Sequence, residues 1–271
     1  MEPQPTAYLP PIQLRIADDI RMRIERGEYR PNDPLPTLHE LAEHWKCSIT
    51  SARNAVALLK AQGLITGGRG RAPVVRKPPR RVVRDSSRHQ VEKDLVLAPE
   101  DERRKHGEAE DDLGEPLHDL QFRTEYDIVA AEPDLAEVFQ CPSGERLLRK
   151  LYELSDKNNT RLSYSISYVP ERLLKPNPLL LSKECEPWPG GAQHQFHSVG
   201  IEIAQIIDEV TAIMPTTFDA QRWGLEEGVP ILAVRRISVD TVGRVVEVSD
   251  AQYPADRTEL RFTTPLKLWS E

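Results

Sequence analysis

A run of polar side chains between residues 48 and 60 could contact nucleic acid. Serine and threonine hydroxyls near a helix N-terminus suit phosphate oxygens and base edges, and an arginine can bind guanine N7 and O6 through two hydrogen bonds. Arg53 is therefore the best candidate for reading a base. The helical spacing of the intervening apolar residues leaves the following side chains on or near the outer face: Ser48, Thr50, Ser51, Arg53, Asn54 and Lys60.

Two helices separated by a short break are predicted to position this face. The first begins at Thr37, which can cap the amide of Glu40 while the Glu40 carboxylate bonds back, in a capping box. Its buried stripe consists of Leu38, Leu41, Ala42 and Trp45. The second helix opens at the N-cap Ser48 and is stopped by Gly63. Its buried face consists of Ala52, Ala55, Val56, Leu58 and Leu59.

A two-stranded ribbon is predicted directly after the second helix. Residues 64–66 and 74–76 would pair around the run 67–71, whose glycines permit a tight turn close to a sugar-phosphate wall. Arg69 and Arg71 could then reach phosphates or a minor groove. Helix-turn-helix patterns also occur in proteins that do not bind DNA, and most Gly/Arg turns are simply solvated. The two together, in this order and on a basic segment, favour a winged helix-turn-helix that binds DNA.

Charge is divided unevenly along the chain. Residues 1–90 carry 16 basic and 9 acidic side chains, a net charge of +7, whereas the 271-residue chain carries −7 and its remainder therefore −14. The basic region should make DNA binding fall steeply with added salt, while the acidic remainder should not bind DNA.

The length and composition predict two domains joined by a charged linker. The domains are expected at 1–76 and 118–271, because residues 77–117 are strongly charged and offer few large apolar side chains to bury. No apolar run approaches the roughly 20 residues that span a membrane, and the N-terminus lacks the parts of a secretion signal, so a cytoplasmic protein is expected.

The cysteine and histidine content gives no strong indication of a disulfide or a metal site. Cys47, Cys141 and Cys185 are odd in number and far apart, which argues against a disulfide framework. His194 and His197 with Cys185 could suggest a metal, but the spacing is irregular and no fourth ligand is evident. Neither a metal nor a cofactor is expected.

The C-terminal half contains an internal repeat. Residues 136–156 align with residues 220–240 at an offset of 84, and each copy is predicted to run from a short helix through a glycine turn into a hairpin. Start signals precede both helices, at Pro133 and at residues 216–219. In the first hairpin, residues 162–168 alternate between large apolar side chains and serines, which is typical of a half-buried strand. A further strand is predicted within 201–214. The repeat indicates a pseudosymmetric antiparallel sheet and an α+β fold.

The motifs resemble two known domains. Residues 9–76 are similar to the DNA-binding domain of the GntR family, on the evidence of Leu35-Pro36-Thr37, Leu41-Ala42-Glu43, Gly63-Leu64-Ile65 and the Gly68–Arg71 wing. Residues 118–269 resemble the UTRA effector domain of its HutC subfamily, through residues 243–247 and 253–257. The resemblance implies a chorismate lyase-like fold for the second domain. The expected DNA contacts are Thr37, His39, Ser48, Ile49, Thr50, Ser51, Arg53, Asn54, Arg69, Gly70 and Arg71.

Departures from the family pattern affect both sites. An arginine usually follows the recognition-helix Ser/Thr and another lies early in the preceding helix, where this chain has Ile49 and His39. Positions that hold phosphosugars in some members fall near Lys150, Tyr152 and Ser165, so a sugar phosphate is less expected than a less polar or different effector. The predicted effector contacts are Arg149, Tyr152, Ser165, Ser167, Glu247 and Tyr253.

The resemblance implies a transcriptional regulator. The expected form is a homodimeric repressor on a palindromic double-stranded operator, released by a small-molecule effector. An alternative is a chorismate lyase-like enzyme with an appended DNA-binding domain, although the sequence shows no Ser/His/Asp set, Cys/His set or phosphate loop at recognisable spacing. A ligand-independent, general DNA binder is a third reading, and it conflicts with the acidic C-terminal half.

Overall fold

The computed structural model describes residues 9–67, 72–79, 81–104, 121–157 and 159–266. The chain divides into two compact units, which we describe separately. The first comprises Met1–Pro79 with Leu225–Val229, and the second comprises Arg80–Gly224 with Pro230–Glu271.

Three helices and a short ribbon form the N-terminal unit. The helices are α1 (Ile12–Glu25), α2 (Leu38–His44) and α3 (Ile49–Ala61), and strand β1 (Ile65–Thr66) pairs antiparallel with β2 (Val74–Val75). The core joins all three helices to the ribbon through Ile16, Ile20, Leu41, Ala52, Ala55, Leu59, Ile65 and Val75. Residues 68–71, at the predicted tip of the wing, lie outside the described residues.

The predicted ends of α2 and α3 are confirmed. Thr37 and Glu40 form both hydrogen bonds of the capping box, and the Ser48 hydroxyl accepts a hydrogen bond from the amide of Ser51. After α3 the chain turns at Gly63, whose φ of 68° lies in the left-handed region that glycine tolerates best. Helix α1 adds to the two predicted helices, and its Ile12, Ile16, Ile20 and Ile24 recur at the spacing of one helical face that packs on the core.

A six-stranded antiparallel sheet is the centre of the second unit. In chain order its strands are β4 (Gln121–Ala130), β5 (Arg146–Ser155), β6 (Arg161–Pro170), β7 (Ile203–Ile213), β8 (Ile231–Asp240) and β9 (Val245–Pro254), and they lie side by side in the order β4-β5-β6-β9-β8-β7. The order reads as two strand triplets that meet where β6 pairs with β9.

The register of the sheet agrees with the repeat in the sequence. Ile166 of β6 lies opposite Asp250 of β9, and these two positions are separated by the repeat offset of 84 residues. The strands of each triplet therefore follow in the same order outward from this pair: β6, β5, β4 on one side and β9, β8, β7 on the other. Helix α6 (Pro133–Phe139) precedes the first hairpin and α9 (Thr217–Arg222) the second, so the predicted repeat of helix and hairpin is confirmed.

Short helices cover both faces of the sheet. On one face, Leu135 and Phe139 of α6 pack with Leu147 and Val248. Leu148, the next residue after Leu147, points to the opposite face. There it packs with Val169, with Phe196 of α8 (Gly191–His197) and with Leu173 and Leu174 of α7 (Glu171–Leu174). Two 3₁₀ turns, Pro178–Leu181 and Lys183–Cys185, lie between α7 and α8.

Part of the segment expected as a linker has regular structure in the second unit. Within the described residues 81–104, β3 (Val82–Asp85) pairs in parallel with β10 (Thr258–Arg261), and it is followed by α4 (Arg88–Leu95) and α5 (Glu100–Arg103). This differs from the expected tether. No residue of α4 is fully buried. The segment is held instead by backbone pairing and by long polar side chains. Composition alone does not reveal this kind of attachment. Residues 105–117 lie outside the described residues.

Among the described helices, none is both long enough and apolar enough to cross a membrane.

Candidate nucleic-acid interface and effector cavity

One face of α3 is buried and the opposite face is free. Ala52, Ala55 and Leu59 are fully buried, whereas Arg53 and Asn54 are exposed. Within the part of the chain that the structure describes, the Arg53 guanidinium has no hydrogen bond or ion pair. A guanidinium that is exposed and unpaired on a helix of 13 residues can form two hydrogen bonds to a guanine edge.

The first turn of α3 adds small polar groups beside Arg53. Thr50 is exposed, and Ile49 keeps 38% of its surface in contact with solvent. The Ser48 oxygen is used locally, since it accepts from the Ser51 amide at 3.1 Å and lies 3.0 Å from the Ser51 hydroxyl. Ser48 and Ser51 therefore fix the start of the helix. Thr50 and the other backbone N–H groups of the first turn can then contact a phosphate or a base.

The capping box at the start of α2 is also exposed. Thr37 donates its backbone N–H to Glu40 at 2.7 Å, and the Thr37 hydroxyl accepts from the Glu40 amide at 3.2 Å. The backbone hydrogen bond from Thr37 lowers the pKa of the Glu40 carboxyl from its ordinary value. His39, between them, is exposed. Arg69, Gly70 and Arg71 lie outside the described residues.

A cavity of about 290 Å³ lies on the α8 side of the six-stranded sheet. Its floor comes from four neighbouring strands, β5, β6, β9 and β8. One row of paired positions runs straight across it, from Lys150 to Ser167, then Ser249, then Arg236. The floor thus has a cation at each end and two serines between them.

Lys150 is the most buried charged group of the floor, with 3% of its surface exposed. Its ammonium donates to the Gln195 side-chain oxygen at 2.5 Å and lies 5.6 Å from the centre of the Tyr126 ring. Burial lowers the pKa of Lys150 from its ordinary value, and the nearby charges of Glu247 and Glu186 oppose that effect. Since an ammonium has three protons to donate, Lys150 can offer hydrogen bonds to a molecule in the cavity.

Glu186 lies at one side of the cavity and is closely surrounded by donors. It accepts from the hydroxyls of Tyr126 and Tyr152, the latter at 2.9 Å, from the Gln195 amide at 2.8 Å and from the Trp188 backbone at 2.9 Å. Burial raises the pKa of Tyr152 well above its ordinary value, and the charge of Glu186 is the second-largest cause of this shift. Tyr152 therefore stays a neutral donor.

The opposite side of the cavity is formed around Arg236. Its guanidinium donates to both carboxylate oxygens of Asp208, at 2.8 and 3.2 Å, and His89 lies 3.6 Å from the same carboxylate. Burial acts to raise the pKa of Asp208, but hydrogen bonds from His89 and Arg236 outweigh it and hold that pKa well below its ordinary value. The Arg236 charge is thus balanced, whereas the hydrogen-bond acceptor of Lys150 within the described part of the chain is an amide oxygen, that of Gln195.

Comparison with known families matches both units. The model for bacterial regulatory proteins of the gntR family matches residues 12–75, and the UTRA domain model matches residues 123–259. The chain belongs to the GntR family and carries a UTRA domain.

Known relatives cover the regulator almost end to end. An uncharacterized HTH-type transcriptional regulator of Rhizobium meliloti (strain 1021) is 25% identical, over 92% of this chain and 93% of its own length. The HTH-type transcriptional repressor NagR of Bacillus subtilis (strain 168) is 24% identical, over 91% and 92%. A crystal structure of a GntR-family transcriptional regulator shares the fold, with a TM-score of 0.69, 24% identity and coverage of 95% and 98%. The relatives are regulators and not enzymes, and the pairing of domains is consistent with the HutC subfamily.

The structure brings together four of the six residues predicted for the effector pocket of the UTRA domain. Tyr152, Ser165, Ser167 and Glu247 all line the cavity. The serines of β6 therefore do not form a solvent-exposed face of the sheet. Ser167 is 3% exposed and donates to Glu247 at 2.5 Å.

Two predicted residues lie elsewhere, which corrects their assignment to the pocket. Arg149 precedes Lys150 on β5, so strand alternation points it to the other face of the sheet, where it pairs with Asp127 at 3.2 Å. Tyr253 lies on the same face of β9 as Glu247 but six residues further along. There its ring packs under the guanidinium of Arg84, 4.1 Å from the ring centre.

Several cavity residues were missed by reasoning from sequence. Arg236 could have been found, because it stands 84 residues after Tyr152, the repeat offset. Six more come from a loop and from α4 and α8, and they carried no periodic signal: His89, Glu92, Glu186, Trp188, Gln193 and Gln195. His194, considered for a metal, accepts through Nδ1 from the Trp188 indole at 2.9 Å. No group of three potential metal ligands occurs among the described residues.

Proposed function

We propose that this regulator is a repressor that binds a palindromic operator as a homodimer and is released by a small molecule bound in the cavity. The observation that carries the proposal is the presence in one chain of an exposed arginine on α3, Arg53, and a cavity with a polar floor. The first suits recognition of a base sequence, and the second suits recognition of a small molecule.

The cavity favours a small polar effector. Serine hydroxyls occupy the centre of the floor, Lys150 offers donors at one end, and Tyr152, Phe122 and Trp188 supply apolar surface. Pockets that combine apolar walls with a few fixed polar groups are typical of sites for small ligands. The proposal that the protein represses transcription, and does not activate it, is supported by the name of one relative, the transcriptional repressor NagR.

The edge of the sheet supports a second copy of the chain as partner. Strand β7 is an edge strand of 11 residues, and its Ile207, Val210 and Ile213 remain 38%, 40% and 41% exposed. A long apolar edge of this kind favours pairing with another chain. A two-fold dimer would present two α3 helices to two half-sites, which requires an operator with the same symmetry.

Selection of bound sequences from a random duplex pool by the full chain tests the DNA-binding part of the proposal. We expect an enriched palindrome, bound about 10³-fold or more tightly than a scrambled duplex in an anisotropy titration at fixed salt. Enrichment of a single half-site would contradict the dimer. Equal binding to the scrambled duplex would contradict specific recognition.

The effector part is tested by linkage. A metabolite panel can be screened against the full chain by the shift in its melting temperature, and each stabilising compound can then be titrated with and without the selected duplex. Release by the effector requires it to bind the DNA-free protein more tightly, by the same factor by which it weakens DNA binding. Equal affinity for the free and the DNA-bound protein would rule out this mechanism.

A further inference from the structure

Helix α4 lies just after the DNA-binding unit in the chain and forms part of the cavity wall. His89 and Glu92 of α4 line the cavity together with Gln193 of α8. Residues between the DNA-binding unit and the UTRA sheet therefore contact the same space as the residues of the floor. A molecule in this cavity would touch both.

A small set of hydrogen bonds closes α4 onto α8, and we call His89, Glu92 and Gln193 the clasp. The Glu92 carboxylate accepts from the Gln193 amide at 3.0 Å, and the Gln193 side chain donates to the His89 carbonyl at 2.7 Å. Gln193 is only 7% exposed. Its side chain thus bridges the two helices at the rim of the cavity.

Gly191 allows the clasp to close. Its φ of 64° is left-handed, and a Cβ at this position would lie 2.5 Å from the Glu92 carboxylate oxygen. Any side chain at residue 191 would therefore push Glu92 away, and would be strained as well. This close approach makes α8 a direct support for α4.

The clasp is the middle of a longer attachment. Before it, β3 pairs with β10; after it, Lys93 donates to the Ile203 carbonyl at 2.7 Å and Arg103 to the Pro189 carbonyl at 3.3 Å. Along the chain, β3 follows the DNA-binding unit within a few residues. The clasp is thus one of several contacts that hold the segment leading directly into that unit.

We propose that the clasp couples the effector cavity to DNA binding, with Glu92 as the positioning residue. The closed clasp belongs to the DNA-binding form. A ligand that takes the Gln193 side chain as a hydrogen-bond partner separates α4 from α8 and lowers operator affinity. This inference rests on the proposed function and adds the route by which the cavity acts.

Operator binding by the full chain tests the clasp without a known ligand, with the selected palindromic duplex as the probe. Glu92→Ala removes the carboxylate, and Asp94→Ala is the matched control because Asp94 is exposed on the same helix and bonds to Gln90. We expect Glu92→Ala to weaken operator affinity about tenfold, the equivalent of one hydrogen bond to a charged group, and Asp94→Ala to stay within about twofold. Gly191→Ala should act like Glu92→Ala from the other side of the clasp.

Hydrogen exchange supplies a readout that a merely structural role would not move. In the wild-type chain, adding the operator duplex should slow exchange of the Gln193 amide and of residues 88–95, since coupling is reciprocal. A scrambled duplex should not, and Glu92→Ala should abolish the effect. This measurement on the wild type stands even if both variants fold poorly.

The outcomes separate this inference from the proposed function. If operator slows no exchange in residues 88–95 or at Gln193, or if the variants open α4 while operator affinity is unchanged, the clasp does not couple the two sites and the regulator stands. If the wild type selects no duplex, the proposed function itself fails.

Discussion

Ser167 donates its hydroxyl proton to Glu247 at 2.5 Å, from one copy of the repeated hairpin to the other. Both side chains are buried, with 3% and 8% of their surface exposed. Ser238 donates to the second oxygen of the same carboxylate at 3.4 Å. The two copies are therefore joined at the cavity floor by a charge-assisted hydrogen bond in addition to the strand pairing of β6 and β9.

Replacing Ser167 by alanine should destabilise the UTRA domain. The Glu247 carboxylate would lose its shortest donor while remaining buried, which costs about 1.5 to 3 kcal/mol of unfolding free energy. Urea denaturation of the full chain, compared with Ser163→Ala on the same strand, measures the difference. We expect less than about 0.5 kcal/mol for Ser163→Ala, and equal losses for the two variants would contradict the role of the bond to Glu247.

Lys150 should make stability depend on pH in the alkaline range. Its folded-state pKa lies below the ordinary 10.5, so between the two values the unfolded chain binds more protons than the folded chain, and stability rises with pH. The slope from this one group is at most about 1.4 kcal/mol per pH unit. Urea midpoints of the wild type and Lys150→Met between pH 8 and 10 should diverge in favour of the wild type as pH rises. A constant difference would show that burial of Lys150 does not disfavour its charge.

Arg53→Ala should weaken operator binding by about 1 to 3 kcal/mol and relax the preference at one base position. The exposed Arg21 of α1, paired with Glu25, gives a control of equal charge, and Arg21→Ala should leave the sequence preference unchanged. Arg69→Ala, in the predicted wing, should weaken binding to all sequences alike and reduce the salt slope by about one. Retention of both affinity and preference by Arg53→Ala would place a different face of the unit on DNA.

Thr37→Ala should remove one side of the capping box at α2. The expected loss is about 1 kcal/mol of unfolding free energy for the N-terminal unit, and Thr37→Ser should recover most of it because serine caps equally well. Thermal unfolding followed by circular dichroism compares the three chains. Identical melting temperatures for alanine and serine would show that the cap does not limit stability.

Local signals in the sequence predicted much of this molecule. The caps at Thr37 and Ser48 act within three residues, and the alternation along β6 follows from the geometry of a strand, so both were visible without the fold. The attachment of residues 81–104 was not, because β3 depends on a partner strand 176 residues later. Helix α8 was also not evident from the sequence: it starts at a glycine pair, and its large buried apolar side chain, Phe196, is held by distant strands.

The candidate site divides in the same way. The floor residues Tyr152, Ser165, Ser167 and Glu247 lie on strands whose register could be inferred from the repeat. Glu186 and Gln195 reach the cavity from a loop and a short helix, whose positions are set by tertiary packing. Arg149 lies on the opposite face of β5 because it precedes Lys150, whose side chain faces the cavity, and side chains alternate along a strand.

The pairing of Ile166 with Asp250 has a consequence for any molecule that the cavity holds. The two hairpins share one backbone register, yet equivalent positions carry Lys150 and Val234, Tyr152 and Arg236, and Ser163 and Glu247. The two halves match in backbone but differ in the side chains at equivalent positions. A molecule turned end for end in this cavity would meet a different set of charges and hydroxyls. The cavity therefore favours one orientation of a bound molecule, although the backbone around it is nearly symmetrical.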